Sequence, residues 1–241
     1  MALIDTLAKD RENLSLMDLA TRLQLHKSTA HRLLMILERH RMVERDPQTG
    51  RYRLGLRLFE LGALAIARFN IRDCARPHLD RVLLETEETV HLCVLDGGEV
   101  LYVDKVEPNR SVRMASKIGR LSPAHCSAVG KAMLAHLPER EVDEILHQHG
   151  QPRMTPKTIV TPGDLKAELK LIRERGYAID NEEAEEGVRC VGAVLLGHNG
   201  RPLGAISTSA PSFRLTMERV PAVAASVVRA ARAISAESGY K

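Results

Sequence analysis

Apolar residues recur at helical spacing almost from the first residue, at Leu3, Ile4, Leu7 and Ala8. The polar break at Asn13 is followed by Ser15, which predicts an N-cap with Asp18 three residues on as its capping-box partner. The helix it opens carries Leu16, Leu19, Ala20 and Leu23 on one face. Gln24-Leu25-His26 interrupts that pattern, and Lys27-Ser28-Thr29 opens a third helix whose apolar face is Ala30, Leu33, Leu34 and Leu37. Ser28 and Thr29 are candidates for capping it. Met42-Val43-Glu44-Arg45 and Arg51-Tyr52-Arg53-Leu54 then alternate in strand fashion around Asp46-Pro47-Gln48-Thr49-Gly50, which predicts a hairpin. Three helices and a hairpin in this order describe a winged helix-turn-helix, a unit that lays the second of its paired helices in the major groove of DNA.

The stretch 55–69 changes character. Leu56, Leu58, Phe59, Leu61, Leu64, Ala65 and Ile66 make a helix that is apolar on more than one side, and such a helix must be buried by something. Beyond it, helical patterns (73–87, 128–136, 139–147, 162–175, 217–236) alternate with period-two strands (90–95, 100–106, 112–115, 177–180, 191–196, 203–208). Turns such as Asp96-Gly97-Gly98 and His198-Asn199-Gly200 suit a meander, so a largely antiparallel sheet flanked by helices is expected. The fold class is α+β. The expected division is a DNA-binding domain over 1–57, a linker or dimerisation helix over 58–72 and a sensor domain over 73–241.

Charge sharpens the division. Residues 1–57 carry 11 Lys/Arg against 7 Asp/Glu, whereas 58–241 carry 24 of each, so the net charge of +4 lies wholly in the head. A basic head on a neutral body suits a polyanion, whose phosphates release counterions when neutralised. Lys27, Ser28, Thr29, His31 and Arg32 crowd the start of the third helix, the end that meets base edges and phosphates in such units. Arg45, Arg51 and Arg53 are the wing charges expected on the DNA backbone. Double-stranded DNA is the expected partner. The four scattered cysteines, Cys74, Cys93, Cys126 and Cys190, form no CxxC pair, so free thiols are expected. No apolar run reaches the roughly 18 residues of a membrane span and no signal-peptide pattern opens the chain, so no membrane association and a cytoplasmic location are expected.

At these residues the chain resembles the IclR family of bacterial transcription regulators. Leu25-His26-Lys27-Ser28-Thr29-Ala30-His31-Arg32-Leu33-Leu34 looks like the family's recognition helix, and Val43 to Gly55 like its wing and the lead into its linker helix. Family members usually carry further residues before the first helix, in which this chain starts. Gly176-Tyr177-Ala178-Ile179-Asp180-Asn181-Glu182-Glu183, six residues and then Cys190 follow the family's carboxy-terminal signature spacing. It departs at Leu196-Gly197, where an aromatic–Asp pair is usual. Ala205-Ile206-Ser207-Thr208-Ser209-Ala210-Pro211 is similar to the family's Ser-x-Ser stretch, and 125–132 to its pocket-lining loop and helix start. Within the family, Ile118-Gly119-Arg120, Asp180 to Glu183 and Ile234-Ser235-Ala236 look closest to the 2-keto-3-deoxygluconate repressor branch.

The resemblance implies a GAF-like sensor, a dimeric or tetrameric assembly built partly through the linker helix, and a small keto- or hydroxy-acid effector held by Ala128, Val129, Asp180, Cys190, Ser207 and Ser209. Elementary chemistry suits those positions. A helix opening at Ser127 offers free amides to a carboxylate, and Ser207 and Ser209 alternate along a strand and so share a face. Without the resemblance, Cys190 is a core thiol, Asp180 a turn or capping residue and the serines ordinary strand hydroxyls. His91 and Cys93 share a strand face, but His91, Cys93, His125, Cys126 and Cys190 are read as an unmetallated core, and no metal or cofactor is expected. The acidic run 182–186 reads as a solvated loop near the pocket mouth. The expected function is a ligand-responsive transcription regulator controlling catabolic genes. The alternatives are a keto-acid enzyme or a thiol redox sensor, in either case with a DNA-binding module.

Overall fold

The computed structural model describes residues 1–10, 13–67, 71–110, 114 and 116–240. The chain forms two compact units, Met1–Asn70 and Ile71–Lys241.

In the first unit, α1 (Ala2–Lys9), α2 (Leu16–Arg22) and α3 (Lys27–Arg39) pack on a hairpin of β1 (Val43–Arg45) and β2 (Tyr52–Leu54). The expected capping box is formed: Ser15 Oγ accepts the Asp18 amide at 3.2 Å and Asp18 Oδ2 accepts the Ser15 amide at 2.9 Å. Leu3, Leu7, Leu14, Leu19, Leu34, Val43 and Tyr52 make the core. Leu14 exchanges two backbone hydrogen bonds with Tyr52 (3.1 and 2.7 Å), adding a bridge to the wing that no local pattern announces. The third helix differs from expectation in two details. Leu33 is exposed, because only Ala30 and Leu34 point squarely into this small core. His26, not Ser28 or Thr29, stands at the N-cap, without a side-chain bond.

The turn between α2 and α3 bends through Gln24 at φ +52, a left-handed conformation that costs an L-residue with a Cβ about 1–2 kcal/mol. Glycine avoids that cost but loses about 0.5–1 kcal/mol in chain entropy. Gln24→Gly is therefore expected to leave the head as stable or up to about 1 kcal/mol more so, read as slower amide hydrogen exchange across α2 and α3. Gln24→Val is expected to speed it.

α4 (Leu56–Ala67) follows at once. Gly55 permits this, since a Cβ there would lie 2.2 Å from the Arg41 carbonyl oxygen. Leu56, Phe59 and Leu61 of α4 are exposed. Residues 68–70 of the expected linker lie outside the described residues, and its last two, Ile71 and Arg72, open the next helix; the expected strand 112–115 also lies outside them apart from Met114, which is irregular.

The second unit holds a six-stranded sheet, entirely antiparallel, in the order β5-β4-β3-β8-β7-β6. Its strands are β3 (Thr89–Asp96), β4 (Glu99–Val106), β5 (Leu121–Pro123), β6 (Ala178–Asn181), β7 (Val188–Leu196) and β8 (Pro202–Pro211). No sequence pattern announces β5, which is three residues long and ends in proline. Two apolar layers sandwich the sheet. One is built with α5 (Ile71–Thr86) and α9 (Val220–Glu237), the other with α6 (Ala128–Leu134), α7 (Glu139–His149) and α8 (Pro162–Arg175). Among the described residues no helix is long and apolar enough to cross a membrane.

Candidate functional site

Two concave places gather the expected binding residues, one in each unit. In the head, Lys27, Ser28 and His31 face Arg45, Gly50 and Tyr52 across a cleft of about 720 Å³ between α3 and the wing. With no side chain capping α3, the Lys27 and Ser28 amides have no acceptor within the helix, whereas the Thr29 amide turns back to the His26 carbonyl at 2.9 Å; such open amides favour phosphate. Thr29 is half-buried. Arg32 lies on the outward stripe with Ser28, Met35 and Arg39, spaced three or four apart, opposite the buried Ala30 and Leu34. Lys27 and Arg32 make no ion pair among the described residues.

The wing arginines are each engaged within the head. Arg45 donates to the Gly50 carbonyl at 3.3 Å and lies 5.8 Å over the Tyr52 ring. Arg51 donates to the Asn13 carbonyl at 2.9 Å. Arg53 is paired with Glu44 across the hairpin at 3.0 Å. Asp46 shapes the turn by accepting the Gln48 and Thr49 amides at 2.8 and 3.0 Å.

In the second unit, sheet register does the assembling. Asp180 stands opposite Cys190, and Cys190 opposite Ser209, along one row of β6, β7 and β8. Two residues along, Gly192 stands opposite Ser207 and Ser207 opposite His91. Side chains two apart on a strand share a face, so these residues turn to the same side. α6 begins over that side. A Cβ on Gly192 would lie 2.9 Å from the Ala128 carbonyl carbon, and one on Gly130 would lie 2.2 Å from the Ala124 carbonyl oxygen. Only glycine lets the helix start sit this close to the sheet and to its own lead-in.

The result is a cavity of about 220 Å³ lined by Ala128, Val129, Asp180, Cys190, Ser207 and Ser209, all six of the expected effector positions. Ser127 caps α6 by accepting the Gly130 amide at 3.2 Å. That leaves the Ala128 and Val129 amides, which have no acceptor within the helix.

Sequence reasoning missed several members of the lining. His91 is hydrogen-bonded to Ser116 Oγ at 2.7 Å and to Ser209 Oγ at 3.3 Å, and stands edge-on to the Tyr102 ring. Burial pushes its imidazole down to about 3, so it is neutral. Arg120, exposed at the rim, also lines the cavity. The only sequence signal at Arg120 is its place in Ile118-Gly119-Arg120, which carries a branch resemblance and no site role.

Asp180 is both a turn residue and a cavity residue. It is 2 % exposed, and its Oδ1 accepts the Glu183 and Ala184 amides at 2.8 and 3.3 Å. Desolvation nevertheless pushes its carboxyl up to about 7. Between the ordinary carboxylate range and about pH 7 the folded unit holds a proton that the unfolded chain releases. This group's contribution to stability therefore falls as pH rises through that window.

The acidic run is not simply a solvated loop. Glu185 and Glu186 are exposed, but Glu182 pairs with Lys157 at 2.8 Å and with Arg189 at 3.6 Å. Glu183 is 7 % exposed and takes the ammonium of Lys131, itself 1 % exposed. Thr155 and Thr158 add hydroxyl bonds of 2.7 Å each to the Glu182 and Glu183 carbonyls. The loop is braced because it closes one wall of the cavity. The sequence signal for this is a lysine inside the apolar helix Ala-Val-Gly-Lys-Ala-Met-Leu.

The thiols are poorly suited to chemistry. Burial raises Cys93 and Cys190 above the ordinary thiol range and pushes Cys126 up to about 12, suppressing the thiolate that a nucleophile or redox sensor needs. No group of three or more His, Cys, Asp or Glu among the described residues is arranged to hold a metal ion.

Two family descriptions match the chain: an IclR helix-turn-helix domain over residues 1–47, and the carboxy-terminal part of IclR bacterial transcriptional regulators over 63–236. The HTH-type transcriptional regulator XynR of Escherichia coli is 33 % identical over 240 residues, spanning 100 % of this chain and 95 % of that protein. From the same organism, the HTH-type transcriptional regulator KdgR is 34 % identical (99 % and 90 % covered) and the transcriptional repressor IclR 34 % (99 % and 88 %). Identities this close single out no branch. Among solved structures, the Thermotoga maritima IclR is 38 % identical with a TM-score of 0.81, covering 99 % of this chain and 96 % of that one. An IclR homolog from Microbacterium hydrocarbonoxydans, complexed with 4-hydroxybenzoate, is 27 % identical with a TM-score of 0.84, covering 98 % and 95 %.

Proposed function

The chain belongs to the IclR family of bacterial transcriptional regulators, ligand-responsive DNA-binding proteins rather than enzymes, and from that premise we propose which acid it senses and which residues do the sensing and the reading. The effector is a small keto- or hydroxy-acid derived from sugar breakdown, and the genes controlled are catabolic. Its carboxylate lies at the Ala128 and Val129 amides that open α6. Ser207 and Ser209 offer hydroxyls to its polar tail, and Asp180 and Cys190 close the far wall. One observation carries this reading: six positions spread over α6, β6, β7 and β8 converge on one small, mostly buried cavity with an open helix start. The relative crystallised with 4-hydroxybenzoate supports a small carboxylate as ligand.

Lys27, Ser28, Thr29, His31 and Arg32 meet the operator in the major groove, while Arg45, Arg51 and Arg53 reach its backbone from the wing. The protein works as a homodimer or a dimer of dimers, with the exposed Leu56, Phe59 and Leu61 of α4 covered by a second copy. Paired heads then read a roughly palindromic site, and effector differing in affinity for two states of the assembly changes operator binding.

A thermal-shift screen of sugar-derived keto-acids on the full chain tests the sensor half. An acid present at a hundred times its dissociation constant stabilises the native state by about 2.7 kcal/mol, and Ser207→Ala/Ser209→Ala is expected to erase most of that shift. Failure of every such acid to raise Tm contradicts the reading.

A further inference from the structure

Asp180 lines the cavity, and the buried Lys131–Glu183 pair acts on it from outside the lining. Lys131 is committed to Glu183, whose second oxygen, Oε2, is buried and has no partner of its own. Asp180 lines the cavity three residues before Glu183, and its Oδ1 is engaged by two amides of the loop. The other ionisable groups around it are Cys190 across the strand pair, Cys126 ahead of α6 and Tyr102 on β4, with His91, Glu185 and Arg120 in the same cavity lining. Burial favours the neutral form of the two thiols, the phenol and the imidazole, and the one cation of the lining, Arg120, is exposed at the rim, where water screens its charge. A negative charge on Asp180 is therefore offset within the protein only by two loop amides and an ammonium already shared with Glu183.

We propose that Asp180 meets the effector as a neutral acid, donating its O–H to an acceptor such as a 2-keto oxygen, and that binding of a keto-acid takes up a proton at Asp180. The proposal rests on the reading of this cavity as the effector site. Two effects drive the uptake. The ligand shuts off what little water reaches a carboxyl whose residue is only 2 % exposed, and it brings a carboxylate of its own into the same small space. Burial, with the Glu183 charge adding to it and Lys131 and the loop amides opposing it, already pushes the Asp180 carboxyl up to about 7, so near neutral pH little is needed to complete its protonation. Specificity follows from the same chemistry. A keto-acid presents an acceptor and needs the protonated carboxyl. A 2-hydroxy-acid presents a donor as well, and an ionised Asp180 accepts from it.

Isothermal calorimetry on the full chain, with pyruvate, L-lactate and 2-keto-3-deoxygluconate as probes, tests the proposal. Each titration is run at pH 6, 7 and 8 in two buffers of different ionisation enthalpy. Keto-acid binding at pH 8 is expected to take up close to one proton per ligand and to weaken about five-fold from pH 7 to pH 8, whereas lactate binding changes much less. Asp180→Asn, which keeps the shape and an N–H donor, is expected to bind keto-acids with a flat pH profile and no uptake. Keto-acid binding without buffer-dependent heat, or with one pH profile in both proteins, overturns the proposal while leaving the site reading intact. Binding of none of the three acids at pH 6 overturns the site reading and the proposal with it. Should Asp180→Asn fail to fold, the buffer dependence of the unaltered chain still separates proton uptake from its absence.

Discussion

Replacing Lys27 and Arg32 together with alanine is expected to weaken operator binding by two to three orders of magnitude. Both stand at the exposed start of α3, and neither is tied to a carboxylate among the described residues. A bidentate arginine–base contact is worth about 1–3 kcal/mol of discrimination. A lysine on phosphate adds a nearly uniform loss and lowers the salt slope by roughly one. The measurement is fluorescence anisotropy on an operator selected from random duplexes, at two salt concentrations. Arg53→Ala is the internal comparison. Its guanidinium is already spent on Glu44 across the hairpin, so its loss is expected to be several-fold only. Undiminished binding by the double variant would take the reading role away from α3.

The second large effect lies in the sensor. Lys131→Met leaves Glu183 buried, with one oxygen unpartnered among the described residues and the other left only a long 3.5 Å bond from the Asn181 amide. Breaking a buried pair from one side costs about 3–5 kcal/mol, whereas replacing both charges by neutral groups of similar size is often near neutral. Urea unfolding followed by circular dichroism is thus expected to show a large loss for Lys131→Met and substantial recovery in Lys131→Met/Glu183→Gln. A single-variant loss under about 1 kcal/mol, far below the cost of an uncompensated buried charge, means the pair does not brace the cavity wall. The expected loss is large because stabilities of whole domains are only about 5–15 kcal/mol.

The contrast between these two places shows what the sequence conveys. The head is local. Ser15 and Asp18 are three residues apart, the wing strands are joined by the six residues 46–51, and the inner faces of α2 and α3 follow a single period, so most of the unit can be read in order. The sheet of the sensor is equally legible strand by strand, except where β5 is too short to show a pattern. What escapes is pairing across the chain. Leu14 meets Tyr52, Lys131 meets Glu183 and His91 meets Ser209 over 38, 52 and 118 residues, and no periodicity encodes a partner at such range. Family resemblance, not spacing, gathers the six expected effector positions. Register then explains why they converge, since Asp180, Cys190 and Ser209 occupy one cross-strand row and Ser207 the next on the same face. His91 completes that second row, and nothing in the sequence marks it as more than a strand histidine.

If the chain is a ligand-responsive regulator of the kind proposed, occupancy of the cavity must change what the head does on DNA. Anisotropy of the labelled operator, titrated with the full chain in the presence and absence of a saturating keto-acid identified by thermal shift, tests this directly. The expected result is an operator affinity altered by about 5–150-fold, the usual range of coupling between two sites, with the change lost in Ser207→Ala/Ser209→Ala. An acid that binds the chain and leaves operator affinity unchanged would contradict it.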